Sequence, residues 1–143
     1  MRALAQALLR GPSPLEPFER EMIATYVSSR NGCRFCTRSH AAAARKLGAP
    51  DLDAASPKMK ALFAIAEHVR ANVALVPSAL VEAARRVGAD DVEIHDATLI
   101  AAAFSMFNRY VDGLGADTPD EGDRSYDLGA ERLATQGYVP KPA

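Results

Sequence analysis

From Cys33 to Pro50 the chain runs CRFCTRSHAAAARKLGAP. Its interior is made of strong helix formers, Gly48 stands where a left-handed C-terminal residue is wanted, and Pro50 follows too closely for the helix to continue. The pattern predicts a helix from about Cys33 to Leu47. On a helical projection Cys33, Cys36, Thr37, His40, Ala44 and Leu47 fall within a stripe about 100° wide, while Arg34, Arg38, Arg45 and Lys46 point the other way. Both thiols and the imidazole therefore share the inward face of one helix.

The same kind of signal recurs on either side. Ser13-Pro14-Leu15-Glu16 combines an S-x-x-E capping box with proline at a first helical position, which predicts a helix from there to about Arg30, ended by Asn31-Gly32. Ser56-Pro57 opens another, reaching about Ala71; Pro77-Ser78 opens a fourth, closed by Gly88; Asp90 caps a fifth that runs to about Val111 and stops at Gly113 and Gly115. Met1 to Arg10 reads as a short amphipathic helix, because Gln6 and Arg10 interrupt the apolar run before signal-peptide length. No segment alternates as a strand would. The expected fold is all-α, a compact bundle of about five to six helices.

Two stretches align without a gap at an offset of forty residues: His40 to Asp51, HAAAARKLGAPD, and Leu80 to Asp91, LVEAARRVGADD. The match suggests an internal helix-turn repeat. Alanine-rich helices ending in basic residues and glycine would also look alike by chance, and both readings stay open. If the repeat is real, Cys33, Cys36 and His40 correspond to Val73, Val76 and Leu80, so packing alone does not demand thiols and imidazole there.

At 143 residues the chain suits one domain. The helical pattern occupies residues 1–115; residues 116–143 are rich in Asp, Pro and Gly, with only a weak helical stretch from about Tyr126 to Ala134, and are expected to form a peripheral arm. The formal net charge is −1 with acidic and basic residues interleaved, which offers no footprint for nucleic acid. The longest apolar run, residues 97–107, is shorter than the roughly 20 residues a membrane span needs. A cytoplasmic location is the default expectation. In that reducing setting a C-x-x-C pair is expected to be catalytic or metal-binding, not a structural staple. The fifth helix is apolar nearly all round at Leu99, Ile100, Ala101, Ala102, Ala103 and Phe104, so partner subunits are expected to supply some of its cover.

The chemistry collected on the Cys33 helix has several readings. Cys33 near the helix N-terminus would gain thiolate stabilisation from unpaired N–H groups and the macrodipole, and His40, four residues after Cys36, lies within side-chain reach. A redox pair is one reading. A zinc half-site is another, although Cys33, Cys36 and His40 would need a fourth ligand, and His68 and His95 lack the H-x₃₋₅-H spacing. Two inert buried thiols in a noncatalytic oligomeric scaffold are the third. A c-type haem site is excluded because Thr37, not histidine, follows Cys36. His68 and His95 are read as surface or structural residues, and no metal or cofactor is expected.

Glu21-x₁₁-Cys33-x₂-Cys36-x₃-His40, together with residues 19–24 before it and 107–115 after it, resembles the alkyl hydroperoxidase D-like (AhpD-like) branch of the carboxymuconolactone decarboxylase family, in its peroxidase-related subgroup. The resemblance implies an all-helical subunit, homo-oligomers such as trimers or hexamers, a peroxide substrate, and a dithiol reductant of lipoyl or thioredoxin-like type. It implies Cys36 as the peroxide-attacking thiol, Cys33 as the resolving thiol, and Glu21 with His40 as a proton relay. Phe35 stands where the best-known members carry a histidine. The decarboxylase branch generally lacks the cysteine pair, which argues against that activity. A straight projection turns Glu21 away from the stripe of Phe18, Met22, Ile23, Tyr26 and Val27, towards the small residues Ala24, Thr25 and Ser28, where another helix can approach. Phe35, opposite the thiols, is expected to mark a subunit contact.

Overall fold

The computed structural model describes residues 1–71 and 74–139, and every regular element among them is helical. In chain order these are α1 (Arg2–Arg10), α2 (Pro17–Arg30), α3 (Arg34–Lys46), a 3-10 turn (Leu52–Ala54), α4 (Pro57–Ala71), α5 (Ser78–Arg86), α6 (Asp91–Gly113) and α7 (Arg124–Gln136). Seven α-helices thus stand where about five to six were expected, the weak pattern after Gly115 having become a full helix.

Local chemistry sets most of the boundaries. Asp90 accepts from the Glu93 N–H while the Glu93 side chain accepts from the Asp90 N–H, closing a capping box at the head of α6. α2 begins at Pro17, not at Pro14. A proline disfavours the α conformation in the residue before it, and Glu16 is accordingly extended, with ψ of 151°, and caps the helix with Glu19 as its partner. Ser13 is left to tie the loop, accepting from the Leu15 N–H and donating to Asp96 on α6 at 2.6 Å.

The forty-residue offset survives in three dimensions. Pro17 and Pro57 both open helices, and Gly48 and Gly88 both adopt positive φ, +94° and +90°. After α3 the N–H groups of Gly48 and Ala49 donate to Arg45 O and Ala44 O; after α5 those of Gly88 and Ala89 donate to Arg85 O and Ala84 O. These are the paired bonds of a Schellman ending, repeated residue for residue. Val76 and Leu80 pack against the apolar core in the second unit; Val73 lies outside the described residues.

α2 is the centre of the molecule. It packs on α1, α3, α4 and α6, and every residue from Arg20 to Thr25 is buried. Its apolar face meets Leu62, Ile65, Ile100 and Phe104, while Ala24, Thr25 and Ser28 let neighbouring helices approach closely. The buried Arg20 guanidinium donates to Leu8 O and Gly11 O, satisfying carbonyls at the end of α1. α7 lies along α3, with Phe35 against Tyr126 and Ala130. Phe35 is therefore covered by the chain's own α7, where a subunit contact was expected. On α6, Val92, Leu99, Met106 and Tyr110 remain exposed at spacings of seven, seven and four residues. They form an apolar stripe that the single chain does not cover. No helix among the described residues is long and apolar enough to cross a membrane.

Candidate active site

Gly32 fixes how the thiols are presented. At φ +77° it ends α2 in a Schellman turn, its N–H donating to Ser29 O and that of Cys33 to Ser28 O at 3.1 Å. Asn108 on α6 braces this turn, donating to the Ser28 hydroxyl at 3.0 Å and accepting from Asn31 at 2.9 Å. Cys33 becomes the N-cap of α3, and its carbonyl accepts from both the N–H and the hydroxyl of Thr37.

Both cysteines are free and buried; Cys33 has no exposed surface and Cys36 only 5%. Burial is the largest influence on Cys33 and pushes its thiol well above the ordinary range; contact with the Cys36 side chain and the carboxylate of Asp112 push the same way, while the Cys36 backbone N–H pulls down. The expected thiolate stabilisation at the head of α3 is therefore present but outweighed, because a dipole's partial charge does not offset complete desolvation.

Glu21 is fully buried and reaches His40. Its Oε2 lies 2.7 Å from His40 Nδ1, and its Oε1 accepts from the Arg10 guanidinium and from the Tyr138 hydroxyl, each at 2.7 Å. Burial alone would raise this carboxyl, but the hydrogen bond and charge of His40, the charge of Arg10 and the Tyr138 hydrogen bond hold it below the ordinary glutamate value. An ionised Glu21 can only accept, so Nδ1 carries the hydrogen between them and Nε2 is the ring nitrogen left outside this bond. The Phe104 ring meets the imidazole edge-on at 4.7 Å, and Phe107 packs edge-on against Phe104. His40 sits one helical turn beyond Cys36, and no hydrogen bond among the described residues joins it to either thiol.

The projection of α2 turns Glu21 from its apolar stripe, and the carboxylate does lie on a different face. That face is nevertheless enclosed, by α1, α3 and the segment after α7. Two members of the cluster went unrecognised in the sequence. Arg10 reads only as a charge that interrupts an apolar run, and Tyr138 lies in the tail, 117 positions from Glu21. No local pattern marks either one. The expected peripheral arm thus carries a side chain into the centre of the site.

A cavity of about 410 Å³ opens between α3 and α7 beside this cluster, with His40, Phe35, Tyr126, Leu133 and Tyr138 in its wall. His68 faces Leu75 O and His95 pairs with Asp96 at the surface. Among the described residues no three His, Cys, Asp or Glu side chains are arranged to hold a metal ion.

Residues 1–68, which contain Glu21, both cysteines and His40, match the model of the carboxymuconolactone decarboxylase family. An uncharacterized peroxidase-related protein from Silicibacter sp. TM1040 is similar in structure, with TM-score 0.70 and 27% identity over 87% of this chain and 69% of that one. So is the alkylhydroperoxidase AhpD core of an uncharacterized peroxidase-related protein from Ralstonia eutropha JMP134, with TM-score 0.73 and 27% identity over 97% of this chain and 73% of that one. No curated protein matches the chain significantly. Over residues 1–68, just under half of its length, the chain is thus similar to the carboxymuconolactone decarboxylase family, and in overall structure it is similar to these peroxidase-related, AhpD-like proteins.

Proposed function

We propose that this protein is a thiol-dependent peroxidase in which Cys36 attacks the peroxide, Cys33 resolves, and Glu21 and His40 move the proton. The observation that carries the reading is the buried Glu21–His40 couple, held at 2.7 Å one helical turn beyond Cys36, whose neighbour Cys33 is also a free thiol. A buried carboxylate fixing an imidazole tautomer serves proton transfer, and a neighbouring dithiol serves two-electron reduction.

In the first step the Cys36 sulfur attacks one peroxide oxygen. An S–O bond forms, the O–O bond breaks, and the alcohol or water leaves with a proton delivered through His40, so that sulfur is oxidised to sulfenic acid. In the second step the Cys33 sulfur displaces that oxygen as water, giving the disulfide. A dithiol of lipoyl or thioredoxin-like type then restores both thiols by exchange and is itself oxidised to a disulfide. The raised Cys33 thiol supports this division of roles, since a thiol kept protonated is a poor first attacker. The apolar cavity beside His40 offers room for an organic substituent on the peroxide.

We assign the exposed α6 stripe to contact between copies of this chain in a homo-oligomer, the roughly seven-residue spacing suiting helix-on-helix packing. Steady-state consumption of an organic hydroperoxide with a dithiol donor tests the reading. Wild-type protein should turn over, and Cys36→Ser should abolish peroxide consumption; a fully active Cys36→Ser protein would refute the assignment.

A further inference from the structure

The segment after α7 is anchored to return across the fold. Gly137 turns at φ +72°, where a Cβ would meet the end of the Gln6 side chain, and Gln6 on α1 accepts from the N–H groups of Tyr138 at 2.6 Å and Val139 at 3.4 Å. The anchor aims the Tyr138 phenol at the Glu21–His40 couple. Its hydroxyl donates to Glu21 Oε1 at 2.7 Å, its oxygen lies 3.3 Å from His40 Nδ1, and its ring lies within 18° of parallel to the imidazole at 6.2 Å. Arg10, which shares Oε1, places its guanidinium over the same ring at 5.3 Å.

We propose that Tyr138 is a positioning residue for His40: by fixing Oε1 of Glu21 it turns Oε2 onto Nδ1–H and so assigns Nε2 as the working nitrogen. A carboxylate held by one donor can rotate about its C–C bond and share either oxygen with the ring. Held by Arg10 and Tyr138 on one oxygen, it presents the other in a single direction. A phenol does this without neutralising the anion, which a second cation would do. Burial and the Glu21 charge raise the Tyr138 hydroxyl well above the ordinary tyrosine range, so it stays a donor. The groups that bear on Glu21 are Arg10 from α1, Arg20 on its own helix, His40 from α3 and Tyr138; α6 contributes the uncharged Phe104 edge against His40.

The consequence for rate rests on the peroxidase reading; the tautomer consequence does not. Tyr138→Phe removes the hydroxyl and keeps the ring. In protein labelled at histidine nitrogen and glutamate carboxyl carbon, wild type should show neutral His40 protonated at Nδ1. The variant should show mixed tautomers and a Glu21 carboxyl titration moved upward, because one of the hydrogen bonds that hold it down is lost, with helicity and melting temperature retained. Oxidation of Cys36 by peroxide should slow about tenfold. Unchanged tautomer and carboxyl titration would overturn the proposal. Should Tyr138→Phe fail to fold, Gln6→Ala, which keeps the phenol and removes its backbone anchor, should shift the same two signals in the same direction by less, and no shift overturns it. If wild type consumes no peroxide while Tyr138→Phe moves both signals, the peroxidase reading falls and the positioning role stands.

Discussion

Replacing Glu21 by glutamine keeps the shape of the side chain and removes its charge, and the three partners of the carboxylate set the size of the loss. The amide oxygen can still accept from Arg10 and Tyr138. The amide nitrogen must then face His40 Nδ1, which can only accept, so the ring proton is driven to Nε2 and the nitrogen assigned to proton handling is blocked. Removing one member of a buried ion pair costs about 3–5 kcal/mol, and retention of two hydrogen bonds puts this case near about 3 kcal/mol. For a chain of this size that lowers the melting temperature by about 10 °C. Loss of a positioned acid–base group slows thiol oxidation by about 10²-fold or more. Stability also changes its pH dependence. Because the folded-state Glu21 titrates below its ordinary value of 4.5, its contribution is fully present above that value and is lost as pH falls through the lower folded-state value. The glutamine variant should lack that acid limb. Calorimetric melts against pH, ¹⁵N-histidine spectra and stopped-flow thiol oxidation measure the three effects, with exposed Glu82→Gln as the control. Glu19→Gln is a poor control because Glu19 caps α2. A Glu21→Gln protein with wild-type tautomer and a rate within about threefold of wild type would refute the relay.

Cys33→Ser should still be oxidised once by peroxide to a sulfenic acid that dimedone traps, but should not turn over with a dithiol, whereas Cys36→Ser should not be oxidised at all; mass spectrometry of the trapped proteins reads both outcomes. Gly32→Ala should cost about 1 kcal/mol in chemical denaturation, from the positive φ alone, since nothing lies within 4 Å of the added Cβ. A larger loss would mean that the turn presenting Cys33 is held by more than its backbone geometry. Leu99→Glu with Met106→Glu should reduce the light-scattering mass to that of a single chain while preserving helicity, because both side chains lie in the uncovered stripe of α6.

Helix boundaries were legible wherever one residue carries the chemistry. Pro57, Gly48, Gly88 and Asp90 each mark an end within a residue or two, because proline, left-handed glycine and capping carboxylates act over one turn. Ser13 misled because its S-x-x-E pattern is as good as that of Glu16 until the effect of Pro17 on Glu16 is included. Cys33, Cys36 and His40 could be placed on one buried face from α3 alone. Glu21 could not, since a projection separates faces but does not say which neighbours cover them; only the likeness to a known motif pointed to it. Arg10 and Tyr138 are fixed by tertiary approach from the two ends of the described chain, and neither α1 nor the segment after α7 carries a periodic signal for an inward-facing charge or phenol. The macrodipole at Cys33 was legible too, but its defeat required knowing that the neighbouring helices bury the thiol completely, with the Cys36 side chain and Asp112 adding to the same effect.

The most direct measurement is a count of free thiols, with intact mass, before and after one equivalent of peroxide under denaturing quench. A peroxidase working through this pair should go from two free thiols to none, with a protein about 2 Da lighter that returns to its starting mass on reduction by a dithiol. Retention of both thiols after peroxide, or their loss at a rate no faster than that of an unfolded control peptide carrying the same C-x-x-C sequence, would contradict it.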